Sequence, residues 1–138
     1  MLQHKLIGDL MLPVVHPLTG TMPLSQAVDT ILNSGQIGLP VLDEQQRVIG
    51  FLSEHDCLSY LVSSSYHCDS RVQVKDIMHR EPLCVAPGDS IIDLAQQMGR
   101  GKPKNYPVVE RGKLVGLVTR RQVMIELNRL LRECKVAI

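Results

Sequence analysis

The sequence predicts an α+β fold in which one β-α-β-β-α unit is used twice. Three observations carry this. Blocks of sequence recur at a fixed offset, each copy joins a helical apolar period to two short apolar runs, and a polar Ser-rich stretch separates the copies. Asp9-Leu10-Met11 recurs as Asp76-Ile77-Met78. Leu24, Ala27, Val28 and Ile31 recur as Ile91, Leu94, Ala95 and Met98. Leu39-Pro40-Val41-Leu42 recurs as Tyr106-Pro107-Val108-Val109, and all of these share the offset of 67 that separates Pro40 from Pro107. Gly50-Phe51-Leu52-Ser53 recurs as Gly116-Leu117-Val118-Thr119 at an offset one residue shorter. The slip falls in a polar turn, Asp43–Arg47 against Glu110–Lys113, where a length change is tolerated.

Each element follows from its pattern. Leu24, Ala27, Val28, Ile31 and Leu32 lie on one helical face, and Gly35 is placed to stop that helix. Ile91, Leu94, Ala95 and Met98 repeat the face, with Asp89 expected as N-cap and Gly99 near the end. Leu39–Leu42 and Val48–Leu52 read as an antiparallel hairpin, as do Tyr106–Val109 and Leu114–Val118 around Arg111-Gly112. A second helix is expected from near Glu54, and its counterpart from near Arg120. In the latter, Val123, Leu127, Leu130, Leu131 and Cys134 form an apolar face. The expected organisation is repeat 1 over residues 1–62, a linker over 63–71 and repeat 2 over 72–138. One copy buries too little surface to be comfortably stable alone, so the two are expected to pack pseudo-symmetrically through their sheets around a shared core.

Bulk properties narrow the function. With 15 Lys and Arg against 14 Asp and Glu, no global field draws the chain to DNA or an anionic membrane. Aromatic residues are 3% of the chain and Trp is absent, so the stacking platforms of single-strand nucleic-acid readers are missing. Leu10–Val15 is too short to span a bilayer and contains Pro13, and no signal peptide is read. Cys57, Cys68, Cys84 and Cys134 are scattered, which fits reduced thiols and a cytoplasmic setting.

The chemistry is expected in Gly50-Phe51-Leu52-Ser53-Glu54-His55-Asp56. A buried strand ends there and a helix begins, and the unpaired N–H groups of a helix start suit a phosphate. The Ser53 hydroxyl can donate to that phosphate, and the Asp56 carboxylate can accept from both hydroxyls of a ribose. The same residues also form S-x-x-D, close to a capping box, and capping alone would account for them. Thr119-Arg120-Arg121-Gln122 in the second copy is a capping box by the same rule.

The D-[LI]-M opening, the helix, the [GN]-x-P-V-[LV] strand and the G-[FL]-[LV]-[ST]-x-x-[DQ] turn, twice and in this order, resemble the cystathionine-β-synthase (CBS) domain. Two copies resemble a CBS pair, or Bateman module, over roughly Leu6 to Leu127. The resemblance implies a non-catalytic regulatory module that binds AMP, ADP, ATP or S-adenosylmethionine in clefts between repeats, forms homodimers and acts on a separate effector protein. Carried over by motif, Asp56 would hold the ribose, with Ser53 and Phe51 beside it. Pro82, Leu83 and Cys84 would read the adenine edge, and Lys104, Asn105 and Arg121 would face the phosphates. The same cations also fit an ordinary solvated surface.

The second cleft departs from the family pattern. Gln122 replaces the ribose carboxylate, and Pro17, aligned with Cys84, has no N–H to offer adenine. Thr19, Thr21, Leu117 and Thr119 remain available, and weaker or no binding is expected. His55, Cys57, His67 and Cys68 lack metal-ligand spacing, so no metal is expected. No Cys carries a nucleophile motif, and there is neither a P-loop nor a G-x-G-x-x-G. The alternative to a nucleotide sensor is a dimerisation or interaction scaffold that keeps the fold without a ligand.

Overall fold

The computed structural model describes residues 5–67 and 71–136. Among them, β1 (Leu18–Thr19), α1 (Leu24–Ser34), β2 (Gly38–Leu42), β3 (Val48–Ser53) and α2 (Glu54–His67) form the first repeat. The second contains α3 (Val74–Ile77), β4 (His79–Arg80), α4 (Ile91–Gln97), β5 (Asn105–Glu110), β6 (Lys113–Thr119) and α5 (Arg120–Val136). A 3-10 turn at Ile7–Asp9 opens the described chain. The α+β reading holds, with the first strand of the second repeat reduced to a single parallel bridge, Val85 to Val108.

Leu24, Ala27 and Ile31 form the buried stripe of α1, and Gly35 ends it with φ of 74°, the left-handed conformation that glycine adopts without a Cβ penalty. Leu32, expected on the same face, is 65% exposed, because its 100° step carries it past the edge of the stripe. The cap of α4 is Ser90, not Asp89. The Ser90 hydroxyl accepts from the Asp93 N–H, while Asp89 accepts from Ala86 N–H at 2.8 Å and so shapes the preceding turn. Part of the expected linker is helical. Ser63–His67 continues α2, and Ser65 satisfies its hydroxyl by donating to the Val62 carbonyl, which lets a serine sit inside a helix. Cys68, with the rest of 68–70, lies outside the described residues. On α5, Val123 is buried and Leu127 packs against the core, but Leu131 is 59% exposed and Cys134 is also exposed.

Two compact units form, and their boundaries interleave the two sequence copies. The first unit is Val14–Pro82 with Arg111–Leu114; the second is the described part of Met1–Pro13 with Leu83–Glu110 and Val115–Ile138. The segment that opens each copy is thus built into the body of the other. In the first unit the sheet order is β1-β2-β3-β4, with β1 parallel to β2 and the remaining pairs antiparallel. The second unit repeats this order in reduced form. Val85 bridges to β5, β5 pairs with β6, and Leu12 bridges to Leu117 on β6.

The interleaving explains the repeated D-[LI]-M. Asp76 accepts from the Gln73 N–H at 2.9 Å and Asp9 from the Leu6 N–H at 3.0 Å, each closing the turn it sits on. The methionines pack where a glycine leaves room. A Cβ on Gly50 would stand 2.5 Å from Met78 Sδ, and one on Gly116 would stand 2.9 Å from Met11 Sδ. Each unit has a core of its own. Leu18, Ala27, Ile31, Val41, Leu52 and Val74 are at the centre of the first, and Ile7, Ile91, Leu94, Tyr106, Val108 and Val118 at the centre of the second.

Candidate functional site

The Ser53–Asp56 turn lies at the end of β3 and the start of α2, in the first unit. Two devices hold it. The Glu54 N–H donates to the Ile37 carbonyl at 2.8 Å, tying the helix start to the residue that leads into β2. Ser53 and Asp56 then form a reciprocal cap: Asp56 N–H donates to Ser53 Oγ at 3.1 Å, and Ser53 N–H donates to Asp56 Oδ2 at 3.1 Å. The amides of Glu54 and Asp56 are therefore already bonded. An anion at this turn meets the Ser53 hydroxyl rather than a full row of free helix-start N–H groups.

The cap leaves chemistry available. Ser53 Oγ accepts in the cap, so its O–H is still free to donate. An ionised carboxylate has about four acceptor positions, and the cap fills one of them. Asp56 Oδ1 has no hydrogen-bond partner among the described residues. Both side chains are half-buried. Beneath them, Gly38 pairs with Ser53, and a Cβ there would lie 2.6 Å from the Phe51 ring and 2.9 Å from Ser53 Cα. The Phe51 ring thus fills the space that glycine vacates, beside the turn.

Cys57, next along α2, is 3% exposed, and its thiol is pushed up to about 11 by burial and by the neighbouring Asp56 and Glu54 charges. It is an inert core thiol at neutral pH.

The other expected contacts divide between the units. Pro82 belongs to the first unit, and Leu83, Cys84, Lys104, Asn105 and Arg121 to the second. Leu83, Cys84, Lys104 and Arg121 are exposed. Asn105, expected to face a phosphate, is 6% exposed, and its Nδ2 has no hydrogen-bond partner among the described residues. Lys104 contributes its carbonyl to the local structure, accepting from Arg120 N–H at 2.7 Å, as Ile37 does in the first copy.

The second-copy turn has the same cap and a different outcome. Thr119 N–H donates to Gln122 Oε1 at 3.0 Å, and Gln122 N–H donates to Thr119 Oγ1 at 3.2 Å. The Thr119 hydroxyl also reaches Gln122 Oε1, at 3.3 Å, and Gln122 Nε2 donates to the Leu10 carbonyl. Thr119 and Leu117 are buried, and Thr19 stands exposed on β1. The Gln122–Leu10 bond joins residues 112 positions apart, so local sequence gave no sign of it.

Among the described residues no group of three His, Cys, Asp or Glu could hold a metal ion, and no helix is long and apolar enough to cross a membrane.

The CBS domain model matches residues 7–63 and 74–129. A protein of Methanocaldococcus jannaschii, the uncharacterised protein MJ1225, is 26% identical over 113 residues, which cover 82% of this chain and 39% of that protein. The chain therefore spans about two-fifths of that relative's length. The crystal structure of CBSX2, an Arabidopsis thaliana protein, in complex with AMP has a TM-score of 0.78 at 26% identity, covering 91% of this chain and 98% of that one. The CBS domain pair of protein MJ0100, crystallised with 5-methylthioadenosine and S-adenosyl-L-methionine, shares the fold at a TM-score of 0.76 and 19% identity, over 91% of this chain and 98% of that one.

Proposed function

The chain belongs to the CBS-domain family, and on that footing we propose that it is a non-catalytic regulatory module that binds an adenosine-containing ligand at the Ser53–Asp56 turn. One observation carries this. The turn is preorganised by its own cap, yet a hydroxyl donor and a carboxylate oxygen stay uncommitted on it. Asp56 Oδ1 accepts from ribose hydroxyls and the Ser53 hydroxyl donates to a phosphate or to a ribose oxygen. These are charge-assisted or directional contacts that add to affinity without reordering the backbone. The AMP complex of CBSX2 supports the ligand class. The proposal includes a cytoplasmic homodimer acting on a separate effector protein. Met124, Ile125 and Leu131 on α5, each more than half exposed, support its apolar contact.

Calorimetry with AMP, ATP and S-adenosylmethionine tests the site. Asp56→Asn keeps an acceptor for the Ser53 amide and removes the charge, so affinity falls about tenfold or more while the melting temperature moves little. Asp56→Ala also loses the cap and about 1 kcal/mol of stability. Unchanged affinity in both variants defeats the proposal.

A second reading, a ligand-free interaction module, draws on the same cap. The reciprocal bonds explain Ser53 and Asp56 without any ligand. It predicts that no adenosyl compound shifts the melting transition.

A further inference from the structure

The second-copy turn has lost more than a carboxylate. The Thr119 hydroxyl and both polar atoms of the Gln122 side chain are engaged inside their own unit. Gln122 Oε1 takes two bonds from Thr119, and Gln122 Nε2 takes the Leu10 carbonyl. One helical turn further on, at i+4 and on the same face of α5, Glu126 is buried and lies 3.4 Å from Lys5 Nζ. Arg129 also bonds Glu126, with its Nε 3.2 Å from each carboxylate oxygen. Gln122 and Glu126 thus grip the opening segment at two points, Leu10 and Lys5.

Among the described residues the first copy has no equivalent. At the same positions of α2 stand Asp56 and Tyr60, and their counterparts on the docked segment are Ile77 and Val72. A carboxylate cannot donate to the Ile77 carbonyl, and Val72 offers no charge. The backbone bonds that dock the first turn of each segment correspond in pairs. Ile7 N–H to Asp89 carbonyl and Gly8 N–H to Pro87 carbonyl correspond to Val74 N–H to Met22 carbonyl and Lys75 N–H to Gly20 carbonyl, all at 2.8–3.0 Å. The side chains are what differ.

We propose that Gln122 is a latch: with Glu126 it fastens the Lys5–Leu12 segment to α5. The repeated turn has divided its labour. One copy leaves the Ser53 hydroxyl proton and Asp56 Oδ1 uncommitted, and the other uses the Gln122 side chain to hold a chain segment. The latch stands whether or not the Ser53–Asp56 turn takes a ligand, since its contacts lie wholly within the second unit.

Hydrogen exchange on the full, ligand-free chain tests it. In the parent protein, amides of Ile7–Leu12 exchange about tenfold more slowly than those of Val74–His79, despite the corresponding docking bonds of their first turns. Gln122→Glu keeps the acceptor that caps Thr119 but removes the donor to Leu10. It therefore speeds exchange in Ile7–Leu12 about tenfold and leaves α4 and the Val74–His79 segment unchanged. Equal exchange of the two segments in the parent, or an unchanged Ile7–Leu12 rate in Gln122→Glu, overturns the latch. The parent comparison needs no variant, so it decides the matter even if the substitution unfolds the chain.

Discussion

Adding one methyl group at Gly38 tests both the fold and the site, because this glycine lies under the Ser53 turn. A Cβ built there would stand 2.6 Å from Phe51 Cε1, 2.7 Å from the Leu52 carbonyl oxygen and 2.9 Å from Ser53 Cα. Two of those three atoms are backbone, so a side-chain rotation relieves only part of the overlap. Gly38→Ala must push β2 and β3 apart at their last pair, Gly38 opposite Ser53. Overpacking of this kind costs about 2–3 kcal/mol. For a chain of this size each kcal/mol moves the melting temperature by about 3–5 °C, so differential scanning calorimetry should show a fall of roughly 10 °C. Gly88→Ala is the control, with no atom within 4 Å of its Cβ and an expected change within about 2 °C. The second copy suggests a partial rescue. It carries Asn105 and Leu117 where the first has Gly38 and Phe51, so Gly38→Ala with Phe51→Leu recovers part of the loss by removing the nearest atom. A single variant that melts within about 2 °C of the parent would refute the packing argument.

Further outcomes follow from two titratable groups. Glu126 is held below the usual carboxylate range by its hydrogen bonds from Arg129 and then Lys5, against the opposing effect of burial. Its folded pKa is therefore below its unfolded one. Its contribution to stability is present above the unfolded value and is lost as the pH falls through the folded one. Glu126→Gln should lower stability at pH 7 and flatten the acid side of the stability profile; a parallel profile in denaturant titrations from pH 7 to 3 would contradict this. Cys57, with its thiol near 11, is only about 0.1% thiolate at pH 8. Iodoacetamide at pH 8 should modify exposed Cys134 in the folded protein and reach Cys57 only after unfolding, as read by peptide mass spectrometry.

The two-copy α+β architecture was legible in the sequence because apolar period and glycine placement are local signals. The hairpins fall within about a residue of their expected bounds, since the polar turns Asp43–Arg47 and Arg111-Gly112, with positive φ at Gln46, Arg111 and Gly112, mark where the apolar runs stop. Four things were not legible, each for a tertiary or side-chain reason. Asp9-Leu10-Met11 and Asp76-Ile77-Met78 look alike, so nothing local says that each docks on the other copy's body. Ser63–His67 has linker composition but stays helical, with the Ser65 hydroxyl satisfied by back-bonding. Asp89 and Ser90 are both good caps, and only the geometry gives the role to Ser90. At the site, S-x-x-D and T-x-x-Q could be read as caps, which both are. The sequence could not show that Gln122 reaches the Leu10 carbonyl while Asp56 retains an oxygen with no partner among the described residues.

The most direct test of the central claim is the melting temperature with and without millimolar AMP, ATP or S-adenosylmethionine, measured on the parent and on Asp56→Asn. A ligand at a hundred times its Kd stabilises the native state by about 2.7 kcal/mol, or roughly 10 °C here. At least one of the three should raise the parent's transition by that order, and the rise should shrink by about half or more in Asp56→Asn. A transition that none of them moves, or one raised equally in both proteins, would contradict the account.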